Sequence, residues 1–231
     1  AAPGEAASLS PAYNRLSGGW AMTPRVERAG VNGAVYVGAA RPAPCSANSL
    51  LEEGGRTLVS FDHGECGWRA GLEDMFRLKR SGVAAADGEV LFAGAAFANG
   101  LARTHDGHLA LAATRENAVL LMRSKAEGLV ETGRIDLPGG PDNLTLADDG
   151  GVVAAVHPSM FRIFLDRRHG IGRAPSRIVK AYPDSGSVEL LFDDPSGRVF
   201  AAATVAAQIG DYLVAGSVTD EGLLVCSKAS E

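Results

Sequence analysis

Side chains with amide or carboxylate oxygens recur along the sequence, each just before a run of small and β-branched residues. Asn99 precedes a turn rich in Gly and Asp and then an apolar run, and the pair Asp142 and Asn143 precedes the same order of residues. Asn48 begins a third copy of this order, and Asp-Gly steps between apolar runs are typical of β-hairpins. Such oxygens are the ligands that Ca²⁺ prefers, because this ion takes six to eight oxygens in a loose geometry. The pattern has no thiols or paired histidines, which argues against zinc.

The spacing of these oxygen donors predicts a repeated fold. From Glu5, near the first strand-like stretch, the successive intervals to Asn48, Asn99 and Asn143 are 43, 51 and 44 residues. A four-stranded propeller blade takes roughly 40–50 residues, so the sequence predicts an all-β protein, a β-propeller with five four-stranded blades visible. Each donor then lies on the innermost strand of its blade. Radial repetition would bring Glu5, Asn48, Asn99, Asp142 and Asn143 to one cation on the axis, and Ca²⁺ is the predicted cofactor.

Two stretches depart from this repeat. Residues 67–80 carry apolar side chains at partly helical spacing among charges, which predicts a short helix or ordered loop inserted into a single domain of residues 1–231. The charged side chains of this stretch are interpreted as a solvated face. Arg167–Gly170 is interpreted as a solvated basic turn.

Composition and charge exclude several classes of function. The net charge is −5, so nucleic acid is not a predicted partner. The apolar runs are interrupted within about ten residues, which is too short for a transmembrane segment. A soluble protein is therefore expected, with the cytoplasm and a periplasmic or secreted location left open, and the oligomeric state is not indicated. The three cysteines show no metal-ligand spacing, no disulfide framework is expected, and Cys226 is predicted to be buried and inert.

Several short motifs follow one another in a fixed order between about Pro44 and Cys226. They are Asp62-His63, Phe97-Ala98-Asn99-Gly100, Pro141-Asp142-Asn143-Leu144, Val156-His157-Pro158, and Ala203-Thr204-Val205-Ala206 through Leu223-Leu224-Val225-Cys226. On these motifs the chain resembles the paraoxonase/arylesterase family of calcium-dependent lactonases, which are six-bladed propellers. It is more distantly similar to the SMP-30/gluconolactonases and to strictosidine synthase-like proteins. Glu5 falls where the family has its calcium-binding Glu, and Asn48 is similar to another Asn at a blade start.

About one blade of the resembled family has no counterpart in this sequence, so that either the protein has about five blades or one blade lies outside this sequence. Only six residues join Val37 to Pro44, where the family has a whole blade. That blade carries a His-Gly motif which supplies the catalytic histidine dyad of the family. The usual general base therefore has no counterpart in this chain.

The resemblance implies a calcium-dependent hydrolase whose substrate is a small lactone or aryl ester. Bound Ca²⁺ would polarise the substrate carbonyl as a Lewis acid, and a base would activate water. The candidate bases are His157 and His63, the latter oriented by Asp62, and Thr204 is the candidate substrate contact. The absent blade supports a second interpretation, a catalytically inactive, calcium-stabilised propeller that serves as a binding or scaffold module.

Each candidate also has an ordinary structural interpretation. Asn99 fits a turn, and Asp142–Asn143 fits an Asx-turn. Glu5 fits a solvated side chain, His157 a packed group beside the site, and Thr204 a core or channel-lining residue. The recurrence of Asn at equivalent points of the repeat favours the ligand over the turn.

Overall fold

The computed structural model describes residues 46–227 in full and, before them, the backbone of five short strands. Two compact units make up the chain, Ala1–Ala98 with Ala126–Gly128 and Asn99–Lys125 with Leu129–Glu231. Glu5, the first predicted metal ligand, lies outside the described residues. The helices in the described part are too short and too polar to span a bilayer.

The first unit contains two small antiparallel sheets and one four-stranded antiparallel sheet. The small sheets are the hairpin of β2 (Tyr13–Leu16) and β3 (Gly19–Met22), and a sheet of β1 (Ala6–Ser10), β4 (Arg25–Ala29) and β5 (Val35–Val37) in the order β1-β4-β5. The four-stranded sheet is a meander of β6 (Ala47–Glu53), β7 (Arg56–Phe61), β8 (Ser81–Ala85) and β9 (Val90–Ala95). Every residue of β8 is buried, because its small and β-branched side chains can be covered on both faces.

The second unit is built from two four-stranded meanders and a three-stranded sheet. The first meander consists of β10 (Ala98–Arg103), β11 (Leu109–Ala113), β12 (Ala118–Lys125) and β13 (Gly128–Asp136), with a 3₁₀ helix at Thr114–Glu116. The second consists of β14 (Gly140–Leu146), β15 (Val152–His157), β16 (Ser176–Ala181) and β17 (Val188–Asp194). The three-stranded sheet consists of β18 (Ala203–Ile209), β19 (Tyr212–Ser217) and β20 (Leu223–Ser227).

Small and β-branched residues form the core between the sheets of the second unit. Both β11 and β15, the second strands of their meanders, are buried at every residue. Ala112 and Val119 of the first meander join Val152 and Ala154 of the second in one apolar cluster. Alanine at these positions lets two twisted sheets pack face to face, and this packing fixes the ends of the strands that carry the candidate site.

Two helices are inserted at the same point of two different sheets, between the second strand and the third. Helix α1 (Trp68–Phe76) follows β7 and lies in the stretch where the sequence predicts a helix or loop. Helix α2 (Met160–His169) follows β15. Its N-cap is Ser159, whose hydroxyl accepts a hydrogen bond from the Arg162 N–H, and it ends at Gly170 with a left-handed φ of 62°.

Two expectations from the sequence are wrong in this part of the molecule. Arg167–Gly170 is the last turn and cap of α2 and not an isolated basic turn, because cations favour a helix C-terminus and glycine supplies the left-handed cap. The sequence predicts no disulfide framework, and in the structure Cys66 is disulfide-bonded. Cys226 is a free thiol, and the expectation that it is buried is wrong, since it is half-buried.

Candidate functional site

The four sheets between residues 46 and 227 each begin their first strand after a residue with a positive φ angle. Ser46, Phe97 and Ala202 lie immediately before β6, β10 and β18, with positive φ angles of 63°, 63° and 47°. Gly139 takes the corresponding place before β14, with a φ of 151°. A positive φ at a non-glycine residue costs about 1–3 kcal/mol and persists only where the surroundings hold it. Its repetition marks the starts of these strands as positions that the fold controls closely.

Bulges lie next to these starts and contain the side chains that the sequence singles out. The register of β6 on β7 shifts between Ala47 and Leu50, around Asn48. The register of β14 on β15 shifts between Pro141 and Leu144, which encloses Asp142 and Asn143, and β18 has a shift at Thr204. A β-bulge changes the direction of the side chains of its extra residues. The bulges therefore take these candidate side chains out of the regular alternation between the two faces of the sheet.

Buried serines satisfy the backbone N–H groups at these irregular strand starts. The Ser60 hydroxyl accepts from the Ser49 N–H at 2.9 Å, within the β6 bulge. The Ser81 hydroxyl accepts from the Ala98 N–H at 2.8 Å, and that of Ser176 accepts from the first N–H of β18 at 2.9 Å. Because an unpaired buried N–H is costly, these hydroxyls hold the strand starts in place.

Strands β10 and β14 come into close contact beside Asn99. A Cβ added to Gly100 would lie 2.6 Å from the carbonyl oxygen of Asp142 and 2.7 Å from the Cα of Asn143. Only glycine allows two backbones to approach in this way. The fold of the second unit therefore brings the backbone beside Asn99 close to that of Asp142 and Asn143.

The carboxamide of Asn99 has an oxygen without a partner. Asn99 is 5% exposed, and its Oδ1 is buried with no hydrogen-bond donor in the described structure. A buried polar atom of this kind costs free energy unless an ion, water or ligand completes it. An amide oxygen is a suitable ligand for Ca²⁺, so this atom fits a cation site.

Asp142 and His157 form a buried pair across the β14–β15 hairpin. Nε2 of His157 lies 3.0 Å from Oδ2 of Asp142, and His157 is 5% exposed. An ionised carboxylate can only accept a hydrogen bond, so the hydrogen atom is assigned to Nε2 of His157, which donates to Asp142. The other ring nitrogen, Nδ1, is buried without a partner among the described residues. In the neutral ring this atom carries the lone pair that can accept a proton.

The side chain of Asn143 is held through its amide nitrogen, so its amide oxygen points away from the groups that this nitrogen contacts. Nδ2 donates to the carbonyl oxygen of Thr204 at 2.9 Å and lies 3.3 Å from Oδ1 of Asp142. The backbone of β18 thereby fixes the orientation of the Asn143 side chain. Thr204 itself is half-buried. No three His, Cys, Asp or Glu side chains between residues 46 and 227 converge as a metal cluster, so a cation here would depend on amide oxygens.

A second group of titratable side chains lies in the first unit, around His63. Nδ1 of His63 is 2.7 Å from Oδ1 of Asp62, and Nε2 is 3.3 Å from Oδ2 of Asp74 in α1. The ring also meets Phe97 edge to face, with centroids 5.2 Å apart. Burial lowers the pKa of His63, but hydrogen bonding and charge from Asp62 and Asp74 outweigh it and raise the pKa to about 10. At neutral pH the ring is therefore an imidazolium, which can donate a proton but not accept one.

The structure thus separates the predicted residues into two groups. The second unit brings together Asn99, Asp142, Asn143, His157 and Thr204. In the first unit, Asp62 and His63 follow β7, and Asn48 lies half-buried in β6.

Asp74 is the functional side chain that reasoning from the sequence missed. The charged residues of 67–80 were expected to form a solvated face, and this is wrong for the acidic pair on α1. Glu73 is 5% exposed and Asp74 faces His63, while the apolar Met75 and Phe76 are exposed. No motif in the sequence indicates this inversion, because His63 and the acidic pair are ten or more residues apart.

Several solved structures are similar to this chain. A protein provisionally described as a gluconolactonase has a TM-score of 0.54 at 17% identity, over 84% of this chain and 64% of its own. A luciferin-regenerating enzyme has a TM-score of 0.54 at 16% identity, over 90% of this chain and 70% of its own. A protein of unknown function from Bacteroides caccae has a TM-score of 0.51 at 14% identity, over 90% and 73%. These proteins are propellers built from antiparallel sheets like those described above.

The fold is a β-propeller. This confirms the fold predicted from the sequence, and the antiparallel meanders are blades of the propeller. The chain spans just under two thirds of the gluconolactonase-like protein, 64% of its length. No protein-family model matches the propeller sequence, and no curated protein matches it. At 14–17% identity these structures show the fold alone, and the likeness to paraoxonases stays a prediction from the sequence.

Proposed function

We propose that this propeller is a calcium-dependent hydrolase of lactones or aryl esters. The observations that carry the proposal are the buried Asp142–His157 pair and the unpartnered Oδ1 of Asn99, on strands β14 and β10 that lie against each other at Gly100. Asn99, Asp142 and Asn143 would hold the cation in the second unit. The participation of Glu5 and Asn48 in the ligand set stays a prediction from the sequence. The provisional description of one similar propeller as a gluconolactonase agrees with a lactone substrate.

The residues of the second unit have distinct parts in this chemistry. Bound Ca²⁺ supplies Lewis-acid polarisation of the substrate carbonyl. Asp142 keeps the proton of His157 on Nε2, so that Nδ1 is the atom that takes a proton from the attacking water. His157 then returns that proton to the leaving oxygen. The Thr204 carbonyl orients the Asn143 amide, and the Thr204 hydroxyl is the proposed substrate contact.

His63 is a poor choice for the base. Its ring nitrogens face two carboxylates, and its pKa of about 10 keeps it protonated across the neutral range. Its catalytic assignment, and that of Asp62, stays a prediction from the sequence. The proposal therefore gives the proton transfer to His157.

Calorimetry on chelator-treated protein tests the metal assignment. Asn99→Ala and Asn143→Ala are expected to weaken Ca²⁺ binding by about tenfold or more, since each removes one oxygen ligand. Asn117→Gly is the matched control, because it removes an exposed carboxamide at a residue with a left-handed φ of 53° that glycine also adopts. Wild-type affinity in both site variants would refute the ligand assignment.

Turnover of phenyl acetate and of γ- and δ-lactones, with and without Ca²⁺, tests the reaction. His157→Gln is expected to lower turnover by about 10²-fold or more, in the range of a lost general base. Calcium binding without any turnover in the wild-type protein would instead support the binding or scaffold propeller, which the six-residue link from Val37 to Pro44 favours.

A further inference from the structure

Helix α1 attaches to its blade by its polar face and turns its apolar face outward. Glu73 is 5% exposed, and its Oε2 accepts from the Gly64 N–H at 2.9 Å. On the other side of the helix Trp68, Met75 and Phe76 are 74%, 62% and 64% exposed. A surface helix normally buries its apolar stripe, so hydrophobic packing is not what holds α1 in place. Its acidic side chains must supply the attachment.

The second acidic side chain of α1 faces a nearly buried histidine. Asp62 at the end of β7 is hydrogen-bonded to Nδ1 of His63 at 2.7 Å. Oδ2 of Asp74 lies 3.3 Å from Nε2, which is an ion-pair distance, and this nitrogen makes no hydrogen bond within the described residues. The His63 side chain is 11% exposed, and Phe97 covers one edge of its ring. Both ring nitrogens carry hydrogen only in the charged form, so a carboxylate at each nitrogen matches the imidazolium.

We propose that His63 forms an ionic latch that fastens α1 to the end of β7, with Asp62 as its partner beside the strand and Asp74 as its partner on the helix. The charged groups around the latch are these two carboxylates and Glu73, with Arg80 3.9 Å from Glu73. Its role is positional: it fixes the direction in which α1 presents its apolar stripe. The proposal is independent of the hydrolase assignment, which depends on the second unit.

The pKa of about 10 supports the latch and gives a direct measurement. In nuclear magnetic resonance spectra at pH 8, the His63 ring is expected to show both nitrogens protonated, with its signals assigned by their loss in His63→Gln. In Asp74→Asn the midpoint of the His63 titration is expected to fall by more than one pH unit, because one of two opposing charges is gone. A neutral His63 ring at pH 8 in the wild-type protein would overturn the proposal.

Trypsin digestion measures the attachment of the helix itself. Arg69 lies within α1 and Arg77 is its C-cap, so cleavage at both sites requires α1 to open. Asp74→Asn and His63→Gln are each expected to speed cleavage at these sites by about tenfold, with other sites unchanged. The double variant is expected to be no faster than either single one, since both remove the same contact.

Asp74→Glu is the matched control, because it keeps the carboxylate on the helix. Cleavage of this variant is expected within about threefold of the wild-type rate. Wild-type cleavage rates in both Asp74→Asn and His63→Gln would show that the ion pair does not hold α1. Faster cleavage at every site would indicate global unfolding, in which case the titration of His63 in the folded wild-type protein still decides the proposal.

Discussion

Replacing Gly100 by alanine should damage the propeller and its candidate metal site together. The added methyl group would lie 2.6 Å from both the Asp142 carbonyl oxygen and the Leu144 nitrogen, and 2.7 Å from the Asn143 Cα. Ordinary van der Waals contact begins near 3.4 Å, so β10 and β14 must separate by most of an ångström. The neighbours are backbone atoms of a paired strand, which cannot rotate away.

The expected cost follows from this geometry. Overpacking usually costs about 1–3 kcal/mol, and a clash against backbone on two sides belongs at the upper end, at about 3 kcal/mol. Separation of the strands also moves Asp142 and Asn143 away from Asn99. Calcium affinity is therefore expected to fall by about tenfold or more in protein that remains folded, which corresponds to about 1.4 kcal/mol.

Urea unfolding and calorimetry with Ca²⁺ measure the two effects. Gly133→Ala in β13 is the matched control, because its methyl group would meet only the Leu121 side chain at 3.4 Å. Gly71→Ala in the middle of α1 meets nothing within 4 Å and is expected to stabilise the helix by about 0.5–1 kcal/mol. If Gly100→Ala unfolds within about 0.5 kcal/mol of the wild-type protein, β10 and β14 do not touch as described.

Other variants test the loops and strand starts. Burial raises the pKa of Asp194, but hydrogen bonds from Ser196, Phe200 and Val199 outweigh it and lower the pKa to about 2. The stabilisation by Asp194 is thus present above about pH 4 and is lost as the pH falls through about 2. Asp194→Asn is therefore expected to lower the free energy of unfolding by about 2 kcal/mol at pH 7, and to make this free energy fall less steeply with decreasing pH in the acid range. An unchanged dependence of this free energy on pH in the acid range would contradict this. Ser176→Ala leaves the buried N–H that begins β18 unpaired and should cost about 1–3 kcal/mol in urea unfolding, whereas the exposed Ser185→Ala should cost less than about 0.5 kcal/mol.

The repeat of oxygen donors allowed the fold to be predicted, because its cause is local. Asn99 and Asn143 precede hairpin signals at a blade-sized interval, and such signals depend on residues close in sequence. Turn chemistry and strand patterning therefore suffice to predict a propeller. The same repeat also predicts that Asn99 lies near Asp142, and the close approach at Gly100 agrees with this for the second unit.

The helices were harder to predict, because their surroundings override their own patterns. The apolar residues of α1 suggest a buried stripe, yet Glu73 and Asp74 make the contacts with the rest of the blade. Only the position of His63 relative to the folded helix decides which face turns inward. Helix α2 has a capping serine and a terminal glycine in its sequence, but its aromatic residues among arginines are also compatible with a strand. The charge state of His63 depends on carboxylates from two elements, which no sequence motif records.

The bulge at Thr204 in β18 corresponds to those that hold Asn48 in β6 and Asp142 in β14. A bulge is a property of the main chain, and buried serines anchor the starts of β6 and β18 whatever side chain the bulge carries. The side chain at each bulge can therefore be substituted while the backbone of its strand keeps its conformation. The charge of the side chains at these bulges could therefore be changed by substitution at one blade at a time. A first substitution would place a carboxylate at Thr204.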